Sequence, residues 1–162
     1  SVDSAGEGKG ATFTMRLPLV QTAVPLTTER VEQQMNDLSG VSILIVDDNP
    51  DSLEIAAFGL ELASATVSVA ESGTKALRML DQTVPDVLIS DIGMPEMDGY
   101  TLIEQIRARA PERGGNVLAI ALTAYVSDTE ATKAVEAGFQ RHLAKPAGPD
   151  ELAEAISELL NR

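Results

Sequence analysis

From residue 41 onward, short apolar runs alternate with longer segments in which apolar residues recur every three or four positions. The short runs predict buried strands, and the longer periodic segments predict amphipathic helices. Pro50 to Leu62 is predicted to form one such helix, because Asn49 can act as its N-cap and proline occupies its first position. The predicted strands cover residues 43–46, 66–70, 86–90, 117–122 and 139–144.

Further helices complete a regular alternation of strand and helix. They are predicted near Gly99 to Ala110, from a capping box at Ser127 to Glu130, and from Pro149 onward. Five strands that alternate with five helices predict a parallel sheet covered on both faces. Since crossovers between parallel strands are right-handed, we expect a doubly wound α/β domain that covers residues 41–162.

The first forty residues follow a different pattern. A glycine-rich stretch, GEGKG, precedes a segment in which Phe13, Met15 and Leu17 alternate with polar residues, as in a half-buried strand. The glycines do not match a nucleotide-binding loop, because such loops lead into a helix. Residues 1–20 are therefore predicted to be a separate piece, joined to the domain by a linker over residues 21–40.

Composition limits the classes of function. The net charge of −13, from 25 acidic and 12 basic residues, repels nucleic acid and argues against direct DNA binding. The chain has no cysteine, which excludes disulfides and thiolate metal sites and fits a reducing compartment. No apolar run is long enough to span a membrane, and no signal peptide is visible. We expect a cytoplasmic protein of bacterial type, without direct membrane contact in this chain.

Polar residues follow four of the predicted strands. The first strand ends in Asp47 and Asp48, the third in Asp91, the fourth in Thr123 and the fifth in Lys145. The carboxyl ends of parallel strands meet at one edge of the sheet, where ligands bind. The sequence therefore predicts that three carboxylates, a hydroxyl and an ammonium converge there.

This set of residue types suits phosphoryl transfer. Clustered carboxylates repel one another, so protonation or a cation must offset the repulsion. Ligands that are all oxygen favour Mg²⁺ (or Mn²⁺), and such an ion keeps positions open for a phosphoryl group. Lys145 could pair with one phosphoryl oxygen and Thr123 could donate to another, while a carboxylate acts as the nucleophile.

The segments ILIVDDNP, DVLISDIGMPEMDGY, IALTAY and HLAKP together resemble the receiver domain of two-component response regulators. The resemblance covers nearly all of residues 41–162. It implies a flavodoxin-like sheet with strand order 2-1-3-4-5. It also implies that Asp91 accepts the phosphoryl group, and that Asp48 and Asp91 bind Mg²⁺ together with the backbone carbonyl of Gly93.

The same resemblance assigns the remaining positions. It implies that Asp47 assists the metal through water, that Thr123 is the switch hydroxyl, and that Lys145 contacts the phosphoryl group. Pro146 is expected to follow Lys145 through a cis peptide bond. His142 stands where the family has a mobile aromatic residue, and we expect its environment to change on phosphorylation.

Two further departures from the family concern the lifetime of the phosphoryl group. Gly93, two residues after the expected phosphoacceptor, has no side chain to steer water. Tyr125, two residues after Thr123, is bulky. Because these positions tune the phosphoryl lifetime in the family, the family's kinetics do not transfer to this chain.

Residues 4–19 resemble the closing hairpin of the ATP-binding domain of sensor histidine kinases. This implies a carboxyl-terminal fragment of a hybrid sensor kinase, which itself does not bind ATP. Its partners would be a histidine kinase domain as donor and a histidine phosphotransfer domain as acceptor. Because a lone hairpin is marginally stable, we expect the strand to pair in a homodimer or to pack on the receiver.

Two other functions remain open beside the phosphoacceptor module. A phosphorylation-independent interaction domain would tolerate loss of Asp91 or Lys145, and both are present. An aspartyl-phosphate hydrolase needs a D-x-D motif on the first strand, which the sequence Asp47-Asp48-Asn49 lacks. The expected chemistry of the fragment is therefore limited to its own phosphorylation and dephosphorylation.

Overall fold

The computed structural model divides the chain into two units, Ser1–Gln33 and Gln34–Arg162. In the first unit, Val2–Asp3 pairs with Thr12–Phe13 as two short antiparallel strands. Met15, Leu17, Tyr125 and Ser127, to which the sequence analysis gave roles, lie outside the described residues. The structure describes residues 2–3, 10, 12–13, 37–124 and 128–161.

The second unit is a five-stranded parallel sheet with helices on both faces. The strands are β1 (Ser42–Val46), β2 (Thr66–Ala70), β3 (Val87–Asp91), β4 (Leu118–Thr123) and β5 (Arg141–Ala144). The helices are α1 (Pro50–Leu62), α2 (Gly73–Leu80), α3 (Gly99–Arg107), α4 (Asp128–Ala137) and α5 (Pro149–Leu160). The spatial order of the strands is β2-β1-β3-β4-β5, which confirms the doubly wound fold and the expected order 2-1-3-4-5. Among the described residues, no helix has the length and hydropathy of a membrane span.

Alternation along the strands builds two aliphatic cores, one on each face of the sheet. On β1, Ile43 and Ile45 pack with α1 and α5, whereas Leu44 and Val46 pack with α2 and α3. Phe139 is the one aromatic residue in the buried core of the described residues. Because β1 is an interior strand with both faces covered, its apolar run is continuous and does not alternate with polar residues.

Helix α1 begins as the sequence predicts. The side-chain oxygen of Asn49 accepts hydrogen bonds from the backbone N–H groups of Asp51 and Ser52, at 2.9 and 3.2 Å. Gly59 then brings α1 against the start of α5, because a Cβ at this position would overlap the ring of Pro149. The close approach of the two helices therefore depends on glycine.

Several boundaries differ from the prediction for local reasons. The fifth strand starts two residues later, because the N–H of Phe139 bonds to the carbonyl of Ala134 and closes α4. Helix α3 ends at Arg107, since Pro111 opens a short 3-10 turn, Pro111–Arg113. Leu38, which the prediction placed in the linker, is buried with the first core cluster. The folded unit therefore includes residues ahead of Val41.

Candidate functional site

The five polar residues predicted to converge all lie at the carboxyl ends of strands. Asp47 directly follows β1, Asp91 and Thr123 end β3 and β4, and Lys145 directly follows β5. Asp47 is 2% exposed and Asp91 is 7% exposed, whereas Asp48 faces solvent. Parallel strands place all of these residues on one border of the sheet, which we name the carboxyl edge.

The ammonium of Lys145 joins two of the carboxylates. Its Nζ lies 2.6 Å from Asp47 Oδ2 and 2.9 Å from Asp91 Oδ2. Burial alone would lower the pKa of Lys145, but the hydrogen bonds and charges of Asp47 and Asp91 together raise this pKa above its ordinary value. Lys145 is therefore a cation at neutral pH, held between two acids that lie on different strands.

Backbone amides hold the other oxygen of each paired carboxylate. The N–H of Asn49 donates to Asp47 Oδ1 at 2.9 Å, and the N–H of Gly93 donates to Asp91 Oδ1 at 3.2 Å. Each carboxylate thus contacts the ammonium through one oxygen and an amide through the other. These contacts fix the orientation of both side chains before any ligand binds.

The cluster fits a hard divalent cation. Asp47, Asp48 and Asp91 each offer a carboxylate oxygen, and these oxygens lie within 4.8 Å of one another. Three carboxylates against the ammonium of Lys145 leave the cluster with two negative charges in excess. The donors in the cluster are all oxygen atoms, and this donor set suits Mg²⁺ or a similar ion.

Gly93 and Pro146 flank the site on separate loops. A Cβ on Gly93 would lie 3.9 and 4.0 Å from the two carboxylate oxygens of Asp91, so the glycine leaves the space beside this carboxylate open. The peptide bond between Lys145 and Pro146 is cis, as the resemblance implies.

His142 lies on β5, which is an outermost strand of the sheet, and is half-buried. It is in register with Ala121, which packs in the core beneath α2 and α3, whereas Leu143 packs against the opposite core. His142 and Leu143 therefore lie on opposite faces of the sheet, as the alternation predicts. A movement of His142 on phosphorylation stays a prediction.

Sequence reasoning missed the support beneath the carboxylate of Asp91. The N–H of Gly99 donates to the carbonyl of Ile92 at 3.0 Å, and a Cβ on Gly99 would collide with the carbonyl of Asp91. Asp98 caps the helix that follows, by accepting from the N–H of Thr101 at 2.7 Å. The dipeptide Asp98-Gly99 is the signal that could have located this turn.

A cleft of about 380 Å³ opens beside Lys145, between α1 and the loop that leads to α5. Its walls are mostly apolar and include Ile55, Ala56, Pro146 and Ala147, with Lys145 at one side. The cleft joins the charged site to the outer face of α1.

Comparisons with known proteins found a matching family and individual relatives. Residues 43–157 match the family described as the response regulator receiver domain. An uncharacterised 14.6 kDa protein of Leptolyngbya boryana is 40% identical over 124 residues, which cover 76% of this chain and 93% of that protein. Sensor protein EvgS of Escherichia coli (strain K12) is 31% identical over 153 residues, which cover 94% of this chain and 12% of EvgS.

Among solved structures, a response regulator of Chloroflexus aurantiacus J-10-fl is 34% identical and has a TM-score of 0.70. The match covers 75% of this chain and 98% of that chain. This chain thus spans nearly all of the first relative and of this structure, but a small part of the sensor protein.

Proposed function

Because this chain belongs to the response regulator receiver domain family and is a phosphoacceptor module of two-component signalling, we propose that Asp91 takes the phosphoryl group from a phosphohistidine. The observation that carries the proposal is the position of the Asp91 carboxylate. It lies between the ammonium of Lys145 and the N–H of Gly93, at the border where five strand ends meet.

In the transfer, a carboxylate oxygen of Asp91 attacks phosphorus and forms the O–P bond. The P–N bond to the donor imidazole breaks, and its electron pair stays on the imidazole nitrogen. The Lys145 ammonium lies near enough to Asp91 to pair with an oxygen of the phosphoryl group on Asp91. This contact would replace the ion pair that Lys145 makes with the free carboxylate. The electrostatic attraction of Lys145 thus stabilises the charge that builds up on the phosphoryl group.

Asp48, Asp91 and the backbone carbonyl of Gly93 would hold Mg²⁺ (or Mn²⁺) at this site, and Asp47 would assist through water. When bound, the ion would neutralise phosphoryl oxygens and the excess charge of the acids. The two negative charges in excess at the cluster support a divalent ion.

We assign Thr123 as the switch hydroxyl and His142 as the residue that responds to it. Thr123 is buried at the end of β4, one residue beyond the partner of Asp91 in the sheet register. His142 lies on the neighbouring strand, on the face toward α4. If Thr123 turns toward the phosphoryl group, the space that it leaves is open to His142, and the population of two states shifts.

The extent of the similarity to EvgS supports an origin in a hybrid sensor kinase. Since 153 of the 162 residues align, the similarity reaches well into the segment ahead of residue 43. We therefore propose that residues 1–20 end a kinase ATP-binding domain, that residues 21–40 form a linker whose end packs on the receiver through Leu38, and that residues 41–162 are the receiver. Its proposed partners are a histidine kinase domain and a histidine phosphotransfer domain, in the cytoplasm, without nucleic acid.

An apolar stripe on α1 supports docking of such a partner. Ile55, Phe58 and Leu62 follow one another on one face of the helix and are 59–65% exposed. Glu54 and Glu61 line the groove beside this stripe. An apolar helix with basic side chains at its border complements this surface better than a second acidic copy does.

The stripe also leads directly to the charged site. Helix α1 starts three residues after Asp47, and Ile55 lines both the groove and the cleft beside Lys145. A histidine-bearing helical domain seated on α1 could therefore present its phosphohistidine to Asp91.

Mass spectrometry tests the assignment of Asp91. After incubation with acetyl phosphate and Mg²⁺, the chain should gain about 80 Da, the mass of one phosphoryl group. The gain should vanish without Mg²⁺ and in Asp91→Asn, because the amide is not a nucleophile. Labelling of Asp91→Asn at the wild-type level would refute the assignment.

A second donor in the same assay tests docking on α1. With a phosphorylated histidine phosphotransfer domain as donor, Phe58→Asp should slow transfer, while labelling by acetyl phosphate stays unchanged.

NMR spectroscopy tests the role of His142 in the switch. The imidazole NMR shifts of His142 should change when beryllofluoride and Mg²⁺ occupy the site. Constant shifts at full occupancy would remove His142 from the switch.

A further inference from the structure

Helices α3 and α4 are connected by a hydrogen bond near the carboxyl edge. The hydroxyl of Tyr100 donates to Glu130 Oε2 at 2.7 Å. The ring of Tyr100 packs against the core cluster that contains Leu102 and Ile103, and the hydroxyl is half-buried. Burial, and then the carboxylate of Glu130, raise the pKa of Tyr100 to about 12, so the hydroxyl keeps its proton at neutral pH.

The far ends of the same helices are connected more strongly. The guanidinium of Arg107, at the end of α3, donates from Nε and Nη2 to the carbonyl of Gly138, at 3.0 and 2.8 Å. Its Nη1 donates to the carbonyl of Gly115 at 2.9 Å. Both connections include a charged group, but Arg107 donates two hydrogen bonds to the end of α4 from one rigid guanidinium, whereas the hydroxyl of Tyr100 donates one. Helix α4 is thus held firmly beside Arg107 and more weakly beside Tyr100.

The weaker connection joins the two segments that leave the candidate site. Helix α3 begins eight residues after Asp91, and its first residue, Gly99, bonds to the carbonyl of Ile92. Helix α4 begins five residues after Thr123. The bond between Tyr100 and Glu130 therefore connects the segment after the phosphoacceptor to the segment after the switch hydroxyl.

We propose that the hydrogen bond between Tyr100 and Glu130 is a latch that holds the first turn of α4 in its unphosphorylated position, while Arg107 acts as the pivot. The proposal rests on the proposed function of Asp91. When Thr123 turns toward the phosphoryl group, the short connection to α4 draws the first turn of the helix with it. The latch opens, and the contacts of Arg107 remain.

Tyr100 and Glu130 are positioning residues in this scheme, because they act through α4 and Thr123 and do not touch the phosphoryl group. The latch stabilises one of two states and so weakens the apparent affinity of any ligand that needs the other state. Removing it should favour the phosphorylated state without changing the chemistry at Asp91.

Tyr100→Phe tests the latch, because it removes the hydroxyl and keeps the ring. Glu130 keeps the ammonium of Lys133, 2.8 Å away, so its carboxylate is still paired. Beryllofluoride with Mg²⁺, titrated calorimetrically into the whole chain, should bind about three- to tenfold more tightly to the variant, as expected for the loss of one hydrogen bond in the free state. Unchanged or weaker binding would overturn the proposal.

Urea unfolding provides a readout that a merely structural bond would not give. Tyr100→Phe should lower the stability of the free protein, and this loss should disappear when beryllofluoride saturates the site. An equal loss in both states would show that the bond persists on activation, and the latch would be refuted. Glu130→Gln, which keeps an acceptor oxygen, should act in the same direction with a smaller effect.

Lys133→Gln is the matched control. It removes a second charged contact of Glu130, but Lys133 lies on α4 itself, three residues away, and does not connect the helices. Beryllofluoride affinity should therefore stay at the wild-type value, and a gain equal to that of Tyr100→Phe would refute the latch. If wild-type protein failed to bind beryllofluoride, or if Asp91→Asn bound it equally well, the phosphoacceptor assignment itself would fail, and the latch with it.

Discussion

At the carboxyl edge of the sheet, Asp47 and Asp91 share the ammonium of Lys145, whereas at the opposite edge Arg107 donates to carbonyl and amide oxygens. Among the residues that the structure describes, no carboxylate forms an ion pair with Arg107. Burial lowers the pKa of Arg107 from its ordinary, very high value, and the guanidinium stays charged in proteins. We name this opposite border, at the starts of the strands, the amino edge.

The two edges also differ in how they stabilise a carboxylate, as Asp86 at the amino edge shows. Asp86 Oδ2 accepts hydrogen bonds from the hydroxyl of Ser42 at 2.6 Å and from its backbone N–H at 2.8 Å. The hydroxyl first, and then the N–H, lower the pKa of Asp86 below its usual range. Neutral donors therefore stabilise this charge, whereas the acids at the carboxyl edge retain an excess of two negative charges. The amino edge is thus stabilised by its own hydrogen bonds, whereas the carboxyl edge keeps excess negative charge that a cation would neutralise.

The largest loss of stability is expected from removing the hydrogen bonds of Arg107 at the amino edge. Arg107→Ala removes the donors to Gly138 and Gly115 and leaves their carbonyls without these partners. We expect unfolding free energy to fall by about 2–4 kcal/mol, measured by urea denaturation. Arg113→Ala is the control, because the side chain of Arg113 is 67% exposed in its pair with Asp81, and its loss should cost less than about 1 kcal/mol. Equal losses in the two variants would contradict the assigned role of the amino edge.

Adding Mg²⁺ should raise the unfolding free energy through the carboxyl edge and not through the amino edge. A ligand at ten times its Kd that binds only the folded state adds about 1.4 kcal/mol to the unfolding free energy. Asp48→Ala should abolish this gain, and Asp47→Ala should reduce it less, because Asp47 is expected to act through water. Thermal unfolding with and without Mg²⁺ measures the difference. Asp86→Ala should keep the full gain, and loss of the gain in this variant would place the ion elsewhere.

Neutralising one acid at each edge should change stability by smaller amounts of opposite sign. Without Mg²⁺, Asp48→Asn removes repulsion from the cluster and should raise unfolding free energy by up to about 1 kcal/mol. Asp86→Asn replaces the acceptor of two charge-assisted hydrogen bonds and should lower it by about 0.5–1 kcal/mol. Parallel urea titrations at neutral pH compare the two variants, and changes of the same sign would show that the edges do not differ electrostatically.

The cost of Asp86→Asn should also depend on pH in a defined direction. Because the folded-state pKa of Asp86 lies below the unfolded value of about 4, its charge stabilises the fold fully above that pH. The contribution disappears as pH falls through the lower, folded-state pKa. Plotted against pH, the unfolding free energies of the wild type and of Asp86→Asn should therefore converge in acid. A difference that stays constant down to the lowest pH at which the protein is folded would show that the charge of Asp86 is not its cause.

The residues of the carboxyl edge could be predicted from the sequence because an apolar run ends where its strand ends. Once the topology was recognised as parallel, Asp47, Asp91 and Thr123 had to lie on one border. The hydrogen bond of Tyr100 with Glu130 could not be predicted in this way. It joins two helices across thirty residues, and neither residue interrupts the pattern of its own helix.

The amino edge was missed for a related reason. Arg107 sits in the last turn of α3, where a basic residue is ordinary, and nothing in the sequence indicates that its guanidinium reaches Gly138. Boundaries such as the start of β5 were off by two residues because Phe139 is apolar in either role, at the end of a helix or in a strand. Packing between elements decides these cases, and periodicity within one element does not.

The strand order also makes the charged site depend on distant parts of the chain. Strand β1 pairs with β2 and β3, so residues 42–91 supply three neighbouring strands and all three acids. Lys145 follows β5 at the far side of the sheet and lies 98 residues from Asp47. Because a domain generally folds as one unit, the acids gain their lysine only when the whole sheet has formed. The charge balance of the site is therefore a property of the complete domain, and a piece that ends before β5 would carry the repulsion of three acids without the ammonium.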